Sequence, residues 1–121
     1  TLPGSELMAA PRPGQMIEVV QFRRATSVHD GISEVETFAD FGTAQRARKI
    51  DASDAERWQA AEVSASLSAR FQLRRNEVTE VVTSRDRLAC RGIDYEITGK
   101  REMVDDLRFF EFSTVARIDR T

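Results

Sequence analysis

From Glu62 to Arg74 the chain alternates without interruption. Val63, Ala65, Leu67, Ala69, Phe71 and Leu73 are apolar, and Glu62, Ser64, Ser66, Ser68, Arg70, Gln72 and Arg74 stand between them. Period-two alternation puts one face inward and one outward, the mark of a half-buried antiparallel strand. A helix would scatter the same six apolar residues around its circumference. At roughly 3.3 Å per residue the strand would span ~40 Å, long for a domain of this size.

Shorter strands precede it. Met16–Arg24 carries Ile17, Val19, Val20 and Phe22 and reads as a first strand. Its apolar residues fall on both faces, so cover on both sides is expected at one end. Residues 26–31 read as a turn with His29, Asp30 and Gly31 at the tip. Ser33–Asp40 alternates and should pair with the first strand as a hairpin. Phe41–Ile50 reads as a third strand leaving a bend near Gly42. Ser53, Asp54, Ala55 and Glu56 have the form of a capping box, predicting a short helix over 54–61 before the longest strand, with Trp58 anchoring it.

After the long strand the pattern fades. Residues 75–84 read as a loop, with at most a short extended piece at Val81 and Val82. Arg85–Ile97 is a second strong signal. A two-residue turn at Arg91 and Gly92 pairs Cys90 with Ile93 and Leu88 with Tyr95. It also sets Arg87 opposite Glu96 on the other face, a favourable cross-strand charge pair. Residues 100–106 read as a polar connector. Leu107–Ile118 closes the chain with Phe110, Phe112, Ala116 and Ile118 in one phase, and Phe109 breaks that phase. The fold class expected is mainly β: a small antiparallel barrel of six or seven strands with one short helix inserted before the longest strand. Residues 1–15 hold all three prolines and no periodicity, so they read as a flexible arm preceding a single barrel domain over 16–121.

Composition narrows the function. The 121 residues suit one domain. No apolar run approaches the ~20 residues a membrane helix needs, so no membrane partner is expected. The net charge of −2 gives no global basic footprint, yet sixteen of the eighteen basic residues are arginine, a residue enriched at protein interfaces. His29 and Cys90 are the sole histidine and cysteine, too few for a metal site, and Cys90 sits in an inward phase. Neither a phosphate loop nor a nucleophile motif is present, so catalytic residues, cofactors and metals are all expected to be none. Basic residues cluster at Arg46, Arg48 and Lys49, at Arg70, Arg74 and Arg75, and at Arg85, Arg87 and Arg91. The aromatics that would stack on bases lie mostly in core phases.

The order of elements carries a resemblance. A strand with a basic end, a polar-tipped hairpin and the long strand ending Arg70-Phe71-Gln72-Leu73-Arg74 come first. They are followed by Asp86-Arg87-Leu88, then Arg91-Gly92-Ile93-Asp94-Tyr95-Glu96-Ile97-Thr98-Gly99, and last Arg108-Phe109-Phe110-Glu111-Phe112. From Gly14 to Ile118 this resembles the phage head–tail joining family, the head-closure or stopper proteins of tailed double-stranded DNA phages, prophages and gene transfer agents.

The resemblance implies a non-enzymatic ring subunit in the neck of the virion, at the portal vertex, present in the host cytoplasm during assembly. Its partners would be copies of itself in a six-fold or twelve-fold ring and the portal or adaptor ring on the head side. On the tail side it would meet a tail terminator or tail tube, and packaged double-stranded DNA would pass non-specifically through the lumen. Candidate intersubunit contacts are Ser64, Ser66, Ser68, Arg70, Arg74, Arg46, Arg48 and Trp58. Candidate lumen residues are His29, Asp30 and Gly31 in the Thr26–Ile32 tip and Asn76, Glu77 and Glu80 in the Asn76–Ser84 loop, with the Asp51–Trp58 insert a third candidate element. The rival readings are a monomeric barrel that binds single-stranded nucleic acid or a small ligand, and another phage neck or tail ring component.

Overall fold

Strand β1 (Glu18–His29) divides its hydrogen bonds among three partners, and that division organises the whole sheet. The structure, a computed structural model, describes residues 10–29, 31–51 and 68–116, with positions 28 and 29 described in backbone only. The other strands are β2 (Glu34–Asp40), β3 (Gln45–Asp51), β4 (Ser68–Arg74), β5 (Arg87–Cys90), β6 (Ile93–Met103) and β7 (Asp106–Ala116). All pairings are antiparallel. Neighbours run β1, β3, β4, β7, β6, β5 and back to β1, which closes a six-stranded barrel. Closure removes the unpaired edges that an open sheet would expose.

The inward phase fills the barrel. Val20, Phe22, Ala47, Phe71, Leu73, Leu88, Tyr95 and Phe112 are buried in one cluster. Phe71 meets Tyr95 edge-on at 5.2 Å, and Phe22 meets Phe112 tilted at 5.4 Å. Such pairs add about 0.5–1.5 kcal/mol beyond the area they bury. Cys90 and Ile97 complete the predicted face of the β5–β6 hairpin. Its register is the predicted one, with Arg87 opposite Glu96, Leu88 opposite Tyr95 and Cys90 opposite Ile93. Arg91 at φ 52° and Gly92 at φ 79° form its two-residue turn, both in the left-handed region such a hairpin needs.

Several boundaries differ from the pattern reading. β1 continues to His29, so the turn expected from residue 26 is confined to the tip. Paired β-branched residues, Thr26 with Thr37 and Val28 with Val35, carry the hairpin outward. Residues 75–84 are not simply a loop: they contain helix α1 (Glu77–Val81), and only Val82 is extended. Residues 100–106 are not a connector, because β6 runs to Met103 and β7 starts at Asp106, leaving a tight turn. Inward-pointing Lys100 hid the alternation there. Ile17 and Val19 stay exposed, so the first strand is not covered on both sides. Only Ser68–Arg74 of the long strand is described; the rest of it, the predicted helix with Trp58, and Ile118 lie outside the described residues.

Beyond Arg23, which still pairs with β5, six residue pairs of β1 and β2 run on with no third strand among the described residues. This ribbon reaches ~20 Å past the barrel. Phe41 and Gly42 turn the chain back toward β3, with Phe41 N–H donating to Phe22 O at 2.8 Å. Gly42 sits at φ 72°, and a Cβ there would lie 2.8 Å from a Val78 methyl on α1. Gly42→Ala should therefore cost about 1–3 kcal/mol, from backbone strain and overpacking together. Gly99, whose added Cβ would meet Ser113 at an ordinary 3.7 Å, serves as the control. Urea midpoints of the two variants test this: G42A falls well below the parent and G99A stays near it.

Candidate interaction surfaces

Asn76 starts α1 by accepting from the backbone N–H groups of Val78 and Thr79 at 2.9 and 3.0 Å. Thr79 reciprocates, its hydroxyl accepting from Asn76 N–H at 2.8 Å. A cap of this kind contributes about 1 kcal/mol. The far end of the helix is held by two cations from the barrel. Lys100 donates to the carbonyls of Glu80 and Val82 at 2.8 and 2.9 Å, and Arg24 donates to Val81 O at 2.9 Å. Three carbonyls at a helix C-terminus are thus satisfied by positive charge, where the helix end is electronegative. Burial pushes the Lys100 amine below its ordinary pKa. Val82 enters the core and Val78 packs against it, so α1 plugs this end of the barrel.

Arg24 also makes a bidentate pair with buried Asp86, both bonds 3.0 Å. Asp86 accepts in addition from Thr83 N–H at 2.9 Å, and the Arg24 guanidinium lies 3.9 Å from the Phe41 ring centre. These contacts fix the root of the β1–β2 ribbon. On the ribbon itself Arg87 stacks on Phe38 at 3.6 Å, and Arg23 bridges to Asp40 at 3.3 Å. A cleft of about 870 Å³ opens between the ribbon and residues 83–86, lined by Arg24, Ser27, Glu36, Phe38 and Arg85 among others. Further out Glu34 and Glu36 are exposed, and Ile32 at the tip is 93% exposed.

The outer wall over β3, β4, β7 and β6 is polar but not all solvated. Gln72 and Glu111, outward by phase, are buried; Gln72 donates to Glu111 at 2.9 Å and Arg101 donates twice to the other carboxylate oxygen. The side-chain oxygen of Gln72 has no partner among the described residues. Arg74 lies 5.3 Å from the ring centre of Phe109, which explains how an out-of-phase phenylalanine is buried. A groove of about 500 Å³ runs past Pro13, Met16, Arg46, Arg74 and Asn76. Pro11 is buried and Ala10 N–H donates to Asp105 at 2.7 Å.

At the opposite end Arg91 clamps buried Glu18 with bonds of 2.6 and 2.9 Å. Those bonds hold the Glu18 carboxyl below its usual range. Burial, with the Glu18 carboxylate, pushes the Cys90 thiol up, so it is a poor nucleophile. No group of three metal-ligating side chains occurs among the described residues, and no helix there is long and apolar enough to cross a membrane.

The predicted residues are distributed as follows. Arg46 and Arg48 lie on one face of β3, opposite Val19 and Gln72. Ser68, Arg70 and Arg74 share the outer face of β4. Ser64, Ser66, Trp58 and Asp30 lie outside the described residues. His29 pairs with Glu34 next to the tip, and Gly31 adopts φ 95°. Asn76 and Glu80 are committed to α1, Glu80 through a bidentate pair with Arg75, while Glu77 is exposed. The pattern reading missed Asp86, Lys100 and Arg24 as a unit. An acid and two cations far apart in the chain give no local signal, and the Asn76 cap with its Thr79 partner was missed as well, because residues 75–84 read as a loop.

What these residues define is a small closed β-barrel whose described charges pin its own ends, with a projecting ribbon and an arginine-bearing wall that no other described strand or helix covers. Residues 11–115 match the phage head completion protein family, and the chain belongs to that family. Membership gives it a head-completion role in the phage particle, among other head and tail proteins, in agreement with the resemblance seen in the sequence. No curated protein matches the chain significantly. The solution structure of protein SF1141 from Shigella flexneri 2a is similar in fold, with a TM-score of 0.67 over 91% of this chain and 100% of that one, at 15% identity.

Two measurements test the pinned ends. Lys100→Met should lower stability by about 1–3 kcal/mol through the carbonyls it strands, with faster amide exchange in α1 than in the barrel strands. The acid side follows from Glu18 and from Asp106, whose carboxyl Arg108 holds down at about 2. Both have folded pKa values below the unfolded ones, ordinarily 4.5 and 3.8, so their stabilisation is complete above those values. It is lost as pH falls through the folded values. Stability titrated from pH 6 to 2 should decline below about 4.5, and Glu18→Gln should flatten the upper part of that decline.

Proposed function

We propose that this chain is the head-closure subunit of the phage neck: copies form a ring below the portal and adaptor, retain packaged DNA and present the platform on which a tail docks. The observation that carries the reading is a family member whose barrel is closed on itself yet has a projecting ribbon and an arginine-bearing wall that no other described strand or helix covers. A lone domain gains nothing from either, whereas a ring subunit needs lateral, axial and lumen-facing surfaces. Ser68, Arg70, Arg74, Arg46 and Arg48 supply one lateral face, with Ser64, Ser66 and Trp58 on the adjoining stretch.

Helix α1 is the better lumen element of the two candidates among the described residues, because a closure must resist the force of packed DNA. It is tied to the barrel by Asn76 to Gln45, Arg75 to Glu102, and Lys100 to Glu80 and Val82. Exposed Glu77 would repel passing phosphates and keep contact with DNA non-specific. The other candidate, the tip beside His29 and Gly31, lies at the outer end of the ribbon and away from the barrel wall.

The experiment is electron microscopy of particles assembled with and without this chain, the chain carrying a small label in the first set. Label density in the neck, and tailless heads that lose their DNA when the chain is omitted, are the expected results. Normal tailed, filled particles in its absence would overturn the proposal. So would label in the capsid interior or at the tail tip.

A further inference from the structure

Two features of the wall and the ribbon match in chemistry and in spacing. On β2, Glu34 and Glu36 project from one face two residues apart, Glu36 at the rim of the cleft, both exposed and with no side-chain hydrogen bond or ion pair among the described residues. On β3, Arg46 and Arg48 project from one face two residues apart, also without ion pairs among the described residues. Both pairs therefore repeat at the same ~6.7 Å step along an extended strand. Elsewhere among the described residues Arg23, Arg24, Arg75, Arg91, Arg101 and Arg108 all hold carboxylates. Apolar surface flanks each pair. Val19, 51% exposed, is the cross-strand neighbour of Arg46, with Ile17 beside it, and Ile32 lies at the ribbon tip next to Glu34.

The two surfaces cannot satisfy each other within one chain. The ribbon leaves the barrel at the end that α1 plugs, pointing away from β3, which runs from there toward the Glu18 end. A two-stranded ribbon is marginal alone and gains from cover, and its ~20 Å reach is enough to lie against an adjacent barrel.

We infer that the β1–β2 ribbon of one subunit docks on the β3 wall of a second copy of this chain, Glu34 and Glu36 pairing with Arg46 and Arg48 and the tip covering Ile17 and Val19. Ribbon and wall are different patches, so the contact is head-to-tail, and repeating it generates a ring when the rotation closes. The inference rests on the ring reading above and adds which surfaces meet. It assigns the ribbon to the neighbour rather than to the channel.

The test is a charge swap read in assembled particles. Glu34→Arg with Glu36→Arg, and separately Arg46→Glu with Arg48→Glu, should each lower the yield of complete particles about tenfold or more, since like charges then face each other. Circular dichroism and thermal melting should show both pairs folded as the parent is. The four substitutions together should restore yield to within about threefold, because the pairing is rebuilt with opposite polarity. A second arm uses Glu36→Cys with Arg46→Cys in one chain, oxidised in particles. A ladder of covalent multimers is expected, and buried Cys90 leaves the parent without one.

Neck density with copies side by side, combined with no ladder and no rescue, overturns the docking and leaves the ring intact. A neck holding one isolated copy overturns both. Cross-links from the Glu36→Cys thiol to a different protein overturn the docking in favour of a portal or tail partner.

Discussion

Val20 is hydrogen-bonded into two neighbouring strands, opposite Gln45 on one side and Cys90 on the other. The barrel depends on that residue being shared. Before it β1 belongs to β3, after it to β5, and beyond Arg23 only to β2. Three short pairings in sequence allow one strand both to close a cylinder and to leave it. The side chain of Val20 is fully buried, so the position that closes the ladder also sits in the core. Closure and packing are therefore one event, and neither ribbon nor plug has a fixed root until it happens.

The plugged end and the outer wall show how a small barrel handles polar groups that it cannot leave in water. Asp86 and Glu111 are buried, and each is met by an arginine and by at least one further donor. An unpaired buried carboxylate would cost several kcal/mol, so these clusters specify position more than they add stability. Lys100 illustrates the trade. Inside the cylinder an ammonium group is expensive, yet it lies 4.4 Å from the Phe110 ring centre and, with Arg24, satisfies the carbonyls at the end of α1. The closed end is rigid because its charges point inward at backbone carbonyls.

The pattern of the sequence disclosed what repeats and concealed what does not. The β5–β6 hairpin was legible to the residue, since hydrophobic phase, charge pairing and turn chemistry all demanded one register. Phe109 announced itself by breaking phase, and the cover it needed proved to be Arg74 from the adjacent strand. Helix α1 escaped because five residues are too few to show a period, and its start depends on one asparagine. The outer face of β4 looked solvated up to Arg74, but Gln72 is buried there through Glu111 and Arg101, partners that lie far along the chain. For the candidate surfaces, composition pointed to arginine and phase pointed to the outer wall. Which arginines are left uncommitted is a property of three-dimensional neighbours alone.

The ribbon has one further consequence, in mechanics. Its six pairs stand outside the barrel ladder, and the contacts that orient it lie at the root, in Arg23, Arg24, Arg87, Phe38 and Phe41. Bending outward of that root, from Thr26 on, disturbs no buried side chain among the described residues. The subunit is therefore a stiff body with a compliant handle, able to accept a range of angles to whatever it grips while its own interior stays unchanged. In the ring proposed above, that compliance would let differences in angle between neighbours be taken up in the handles and keep them out of the barrels.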